Sequence, residues 1–143
     1  MHKNILIADD DMDDMELYME AVFLSKLPVT ITPAGTCDEI LEVIKLMGTP
    51  DLVIIDGNMP FKTIDECVSA IRSARELNEI PLIVLSGATI NENVKNYYDA
   101  GVNLYLTKPD SIDETINIFS RLYNADWNNK PVLTAEEFFN KSS

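Results

Sequence analysis

Cysteine, histidine, glycine and positive charge are all scarce in this sequence, and each scarcity removes a class of explanation. The two cysteines, Cys37 and Cys67, have neither CxxC spacing nor histidine neighbours, so they offer no zinc site. Each falls in a stretch that reads as helix, and the expectation is a pair of buried free thiols in a reducing cytosol. The one histidine, His2, is terminal and lies outside any motif. Eleven Lys and Arg stand against 24 Asp and Glu, a formal net charge of -13 that would repel a phosphate backbone. No nucleic acid partner is expected; an acidic surface suits a protein or a cation, and it is also an ordinary solubility device. The longest apolar runs are strand-length, short of the roughly 20 residues that a membrane span needs, and no basic-then-apolar leader opens the chain. The sequence therefore reads as a cytoplasmic protein with no membrane partner.

What is present is a regular alternation. With 143 residues and 46% hydrophobic content, the chain can bury a full single-domain core. Asn4–Ala8, Val29–Thr32, Leu52–Ile55, Leu82–Leu85 and Asn103–Leu106 are short apolar runs that read as strands buried on both faces. Between and after them, Met15/Met19/Val22/Phe23, Ile40/Leu41/Ile44/Met47, Ile64/Cys67/Val68/Ile71 and Ile112/Ile116/Phe119/Tyr123 recur at helical spacing as core-facing stripes. Thr36-x-x-Glu39 and Ser111-x-x-Glu114 open helices as capping boxes, and Gly48 and Gly101 suit helix C-termini. A weaker, more exposed helix is expected between Asn91 and Ala100. Strands alternating with helices pair in parallel through right-handed crossovers, which gives an α/β doubly wound five-stranded sheet of flavodoxin-like order 2-1-3-4-5 with helices on both faces. Ligands of such sheets sit at the carboxyl ends of the strands, at the switch point between strands one and three.

The residues expected at that edge carry chemistry. Strand one runs into Asp9 and Asp10 and strand three into Asp56, and neighbouring strands are about 4.8 Å apart, so three carboxylates converge. Such a cluster repels itself unless a hard divalent cation or a lysine neutralises it, and Mg²⁺ fits. Strand four delivers Ser86 and strand five Lys108 to the same edge. This set suits phosphoryl transfer to a carboxylate: the cation and Lys108 neutralise phosphoryl oxygens, Ser86 donates a hydrogen bond, and Asp56 attacks in line. A carboxylate is ionised at neutral pH, so such a nucleophile needs no general base.

The ordered set Ile-Ala-Asp9-Asp10, Ile-Ile-Asp56-Gly-Asn-Met-Pro60, Val-Leu-Ser86-Gly and Tyr105-Leu-Thr-Lys108-Pro109 resembles the response-regulator receiver domains of two-component signalling, in the single-domain chemotaxis-regulator-like subfamily. The likeness spans about residues 3–123. It implies that Asp56 is the phosphoacceptor, with Asp10, Asp56 and the backbone carbonyl of Asn58 as Mg²⁺ ligands and Asp9 holding the metal through water. It implies Lys108 as the phosphate-pairing lysine, Ser86 as the switch hydroxyl, Tyr105 as the switch aromatic and a cis Lys108–Pro109 peptide. The implied donor is a sensor histidine kinase or histidine phosphotransfer protein, and the implied output is altered affinity for a downstream protein partner. One departure stands out: the family commonly has Asp-Gly where this chain has Thr63-Ile64, so the third helix is expected to start differently or earlier.

Plainer readings exist. Asp11, Asp13, Asp14 and Glu16 crowd the start of the first helix, where the macrodipole favours carboxylates whatever the function. Asp9-x-Asp11-x-Asp13 mimics a calcium loop but lacks its glycine and its preceding helix. Tyr97 and Tyr98 suit either the core edge or a docking surface. Residues 1–125 form the receiver unit in this reading, and 126–143 a tail with no output domain and a short helix opened by Thr134-x-x-Glu137; its aromatics either pack back or bind a partner. Two other functions compete: a haloacid-dehalogenase-like phosphatase using Asp9, and a receiver-fold binding module that is not phosphorylated.

Overall fold

The computed structural model describes residues 1–57, 63–87, 94–129 and 131–141. The apolar runs form β1 (Lys3–Ala8), β2 (Val29–Ala34), β3 (Leu52–Asp56), β4 (Leu82–Ser86) and β5 (Leu104–Thr107). All pairings are parallel and the order is β2-β1-β3-β4-β5, as expected from the alternation. The helices are α1 (Met12–Ser25), α2 (Cys37–Met47), α3 (Ile64–Ser73), α4 (Val94–Ala100), α5 (Ile112–Asn124) and α6 (Ala135–Lys141).

Alternate strand residues feed two cores. Leu6, Ala8, Val53, Ile55, Leu82 and Val84 pack with the inner faces of α2, α3 and α4, while Ile5, Ile7, Leu52, Ile54, Ile83 and Leu85 pack with those of α1 and α5. Burial on both faces explains why the central strands show no polar alternation. β2 differs: it is an edge strand and only partly covered.

The helix stripes hold for α3, whose Ile64, Cys67, Val68 and Ile71 are all buried. They shift elsewhere. On α1 the covered residues are Tyr18, Ala21 and Val22, with Met15 partly so, whereas Phe23 is 80% exposed and Met19 is exposed too. Met47 is exposed at the end of α2, and α5 buries Thr115, Ile118 and Leu122 beside the expected Phe119. Apolar side chains surround α1 on several sides, so composition alone leaves its rotational phase open.

The cysteines correct the free-thiol expectation. Cys37 and Cys67 form a disulfide between the start of α2 and the middle of α3, with Cα atoms 5.7 Å apart. The reason is packing: both side chains point into the same core between the two helices, an approach that a 30-residue separation does not reveal.

The departure at Thr63-Ile64 also resolves. Thr63 is the N-cap of α3 and exchanges hydrogen bonds with Glu66 in a full capping box, so α3 starts at Ile64. Ile64 is therefore the first helical residue, needs no positive φ, and is buried. Gly48 and Gly101 close α2 and follow α4 with φ of 90° and 122°, which side-chain-bearing residues rarely adopt. Of the expected Asn91–Ala100 helix, residues 91–93 lie outside the described residues.

Candidate functional site

The site is built where β1 and β3 end side by side. Ladder pairing carries one residue past β1, with the Asp9 N–H donating to the Ala34 carbonyl at 3.0 Å. Asp9 then accepts the Asp11 N–H at 2.9 Å, and Asp11 caps α1 by accepting from the N–H groups of Asp13 and Asp14. A strand end, a tight turn and a helix start thus hold the acidic run in one conformation. Asp9 and Asp56 are buried, Asp10 is exposed, and each of the three offers a carboxylate oxygen within 4.8 Å of the others.

Lys108 joins them from β5. Its N–H donates to the Ser86 carbonyl at 2.8 Å, continuing strand pairing beyond Thr107. Its Nζ lies 3.0 Å from Asp56 Oδ1, 3.5 Å from Asp9 Oδ2 and 2.6 Å from Asp14 Oδ2. Burial alone would lower the Lys108 pKa; hydrogen bonds to Asp14 and Asp56 and the charges of Asp56 and Asp9 outweigh it and hold the ammonium well above its usual range. The Lys108–Pro109 peptide is trans, which corrects the cis expectation. The backbone bond to Ser86 already fixes the loop, and trans is the lower-energy isomer by about 0.5–1 kcal/mol.

Asp9 responds in the opposite sense. Burial raises its pKa to about 6, the Asp11 N–H pulls it back, Asp56 raises it further and Lys108 opposes. Tyr18, on α1, donates to Asp9 Oδ2 at 3.4 Å and is itself raised by burial and by the Asp9 charge. The donor set is all hard oxygen, and among the described residues several carboxylates face a single ammonium; a small divalent cation such as Mg²⁺ fits that excess. Asn58, whose carbonyl was expected as a further ligand, lies outside the described residues, as do Met59 and Pro60.

Ser86 ends β4, is buried, and sits over Gly57. A Cβ at Gly57 would lie 2.8 Å from both Cβ and Oγ of Ser86, so only glycine admits the serine at this distance. Tyr105 is buried and stacks on Tyr97 with ring centroids 5.8 Å apart. Its hydroxyl has no hydrogen-bond partner among the described residues. The Tyr98 hydroxyl accepts the Tyr105 N–H at 3.0 Å, so Tyr97 and Tyr98 belong to the packed edge of the domain.

Asp9, Asp10, Asp56 and Lys108 meet at this edge, Ser86 ends the neighbouring strand against Gly57, and Tyr105 lies on β5 against Tyr97. Sequence reasoning missed two further residues. Asp14 was assigned to the α1 macrodipole, yet it holds Lys108; its place one turn before Tyr18, with Val22 one turn beyond, is the available signal, because those three share the core-facing stripe. Gly57 carried no signal of its own, since its role depends on where β4 places Ser86.

Comparison with known proteins agrees with this geometry. The response regulator receiver domain family matches residues 5–120. A curated relative, the transcriptional regulatory protein PdtaR of Mycobacterium tuberculosis, is 33% identical over 118 residues, covering 80% of this chain and 53% of its own length. The chain thus spans about half the length of that relative, and the first relatives matched include one of which it covers 7%, a hybrid signal transduction histidine kinase of Dictyostelium discoideum. Among solved structures, the phosphorylated cyanobacterial phytochrome response regulator RcpA superposes with a TM-score of 0.75 at 26% identity, covering 100% of this chain and 97% of that one. The Mn²⁺-bound form of response regulator Rcp1 gives 0.72 at 25% identity, covering 82% and 92%. These matches do not favour the phosphatase alternative, because they align residues 5–120 with response regulator receiver domains. From its strand order, its acidic edge and the family match over residues 5–120, the chain belongs to the response regulator receiver domain family.

Proposed function

We propose that Asp56 is the phosphoacceptor of a signalling switch, taking its phosphoryl group from a phosphohistidine on a sensor histidine kinase or histidine phosphotransfer protein. The observation that carries this reading is Lys108 Nζ held 3.0 Å from Asp56 Oδ1 at the rim of a three-carboxylate cluster. In the transfer, an Asp56 carboxylate oxygen forms the new P–O bond as the donor P–N bond breaks. The departing imidazole keeps the electron pair and takes up a proton.

Asp9, Asp10 and Asp56 would hold Mg²⁺, with the Asn58 carbonyl as a further ligand. When bound, the ion supplies positive charge to offset that of the phosphoryl oxygens. Lys108 pairs with a phosphoryl oxygen, and the Ser86 hydroxyl donates a hydrogen bond to another. Gly57 supports this by leaving Ser86 room directly over the residue after Asp56. Tyr105 then responds to the inward movement of Ser86, and the output is a changed affinity for a downstream protein. The reading is of a regulator without nucleic acid binding of its own, in keeping with the net charge of -13. Residues 1–125 would be the switching unit.

The test is intact-mass analysis after incubation with acetyl phosphate and Mg²⁺. One phosphoryl adduct is expected in the parent and none in Asp56→Asn. An adduct that persists in the variant would overturn the assignment.

A further inference from the structure

The segment after α5 folds back onto the domain. At its root the Trp127 indole N–H donates to the Leu122 carbonyl at 3.0 Å. The chain then runs beside the outer edge of β5, where the Leu133 N–H donates to the Asn103 carbonyl at 2.8 Å in a one-residue parallel bridge to Leu104. The Asn103 side-chain amide donates to the Pro131 carbonyl at 2.9 Å. Thr134 and Glu137 then cap α6 with reciprocal hydrogen bonds, both 3.1 Å. α6 places Phe138, fully buried, in the core that also holds Leu104, Leu106, Ile118 and Phe119. Outside it, the Arg121 guanidinium donates to the Phe139 carbonyl and lies 5.6 Å from that ring. An extended residue on a sheet edge followed by an aromatic anchor in a pocket is how peptides bind by strand addition, and here the peptide is the chain's own.

This occupant meets the site side chains at two points. The Tyr98 hydroxyl takes the Tyr105 N–H and donates to the Leu133 carbonyl at 2.7 Å, so Tyr105 and the segment share one phenol. In addition, Ala135 and Phe139 line a groove of about 440 Å³ together with Lys108, Pro109 and residues of α5. Lys108 is the residue that grips Asp56 and Asp14.

We propose that residues 131–139 are an intramolecular ligand of the face formed by α4, β5 and α5, and that phosphorylation of Asp56 releases them, uncovering the β5 edge and the Phe138 pocket. This rests on the phosphoacceptor reading above. A phosphoryl group adds close to two negative charges and draws Lys108 away from Asp14, which moves a lining residue of the groove. Close packing is fitted to one arrangement, so the segment binds the resting arrangement better than the altered one. By reciprocity, the factor by which phosphorylation weakens the segment's hold is the factor by which the docked segment disfavours phosphorylation.

Hydrogen exchange of the full chain, read over peptides spanning 131–139, tests this with Mg²⁺ in the presence and absence of acetyl phosphate, with the phosphoryl adduct counted in the same samples. Exchange in the phosphorylated fraction is expected to rise about tenfold or more, while β1 and β3 amides stay unchanged; Asp56→Asn with the same donor shows no rise. Tyr98→Phe, which removes the shared hydroxyl, is expected to speed exchange of 131–139 severalfold without any donor. An adduct on Asp56 with unchanged or slower exchange would make the segment a fixed part of the core and overturn the proposal. Absence of any adduct would overturn the phosphoacceptor reading itself, and this proposal with it.

Discussion

Asp9, Asp10 and Asp56 stand at the ends of β1 and β3, in the middle of the sheet, whereas Ser86, Tyr105 and Lys108 stand on or just after β4 and β5, beside an edge covered by a short bridge and one helix. The acidic half is fastened from several directions: a cap on α1, a ladder bond from Asp9 to β2, a disulfide between the flanking α2 and α3, and a capping box at Thr63. The half on β4 and β5 is held differently, by the Arg72 guanidinium on the Leu77, Ile80 and Gly101 carbonyls and by single hydroxyls such as that of Tyr98. Metal and phosphoryl chemistry demands carboxylates held within a fraction of an ångström, while signalling demands groups that can move. The manner of fastening follows the division of labour.

The largest effect should come from the half on β4 and β5. Phe138→Ala removes the anchor of the segment and should cost about 3–5 kcal/mol of stability in urea denaturation. A loss under 1 kcal/mol would mean that α6 is an ornament of the edge and would dissolve the comparison. On the acidic side, reducing the Cys37–Cys67 bond releases a loop of 30 residues and should cost about 3–4 kcal/mol on the loop-entropy account. Exchange of residues 131–139 should not respond to reduction; if it does, the halves are not separable.

The pH dependence of the metal-free protein sharpens the same contrast. The folded-state pKa of Asp9 is raised from 3.8 to about 6, so its contribution to stability is fully present below about 4 and is lost as pH rises through 6. Asp9→Asn should therefore gain on the parent between pH 5 and pH 7, on the order of 1–2 kcal/mol, and Mg²⁺ should erase the gain. A difference between the two proteins that is flat with pH would show that Lys108 fully compensates the buried charge.

Two further changes probe the seam and the cap. Gly57→Ala forces a methyl group against Ser86 and should cost about 1–3 kcal/mol, with Ser86 displaced and phosphorylated-state signals altered more than metal affinity. Thr63→Ala loses the α3 cap and should cost about 1 kcal/mol without changing the adduct yield. Denaturation curves beside adduct mass separate these outcomes.

The sheet and its polar edge were readable because the central strands are unbroken apolar runs, and those of β1, β3 and β4 run directly into Asp9, Asp56 and Ser86. Asp56 and Ser86 needed only that register, and Lys108 stands one residue further along. What was not readable depends on rotation or on distant approach. Met19 and Phe23 are as apolar as Val22, yet only the last is covered, because α1 turns Tyr18 and Ala21 inward instead. Phe138 and Phe139 are adjacent and alike in type, and a one-residue phase decides which enters the core. The Cys37–Cys67 bond required knowing that α2 and α3 lie against each other, and Asp14 required knowing that β5 aims Lys108 at α1.

Trp127 is the only tryptophan in the sequence, and it is half-buried at the root of the returning segment with its indole N–H on the Leu122 carbonyl. The protein consequently contains a built-in optical reporter. Its emission arises from one location, next to the element proposed to move, so a stopped-flow trace of unlabelled protein can follow departure of that element in real time. Indole freed into water emits at longer wavelength than indole packed on Leu122, which gives the trace a sign as well as a rate.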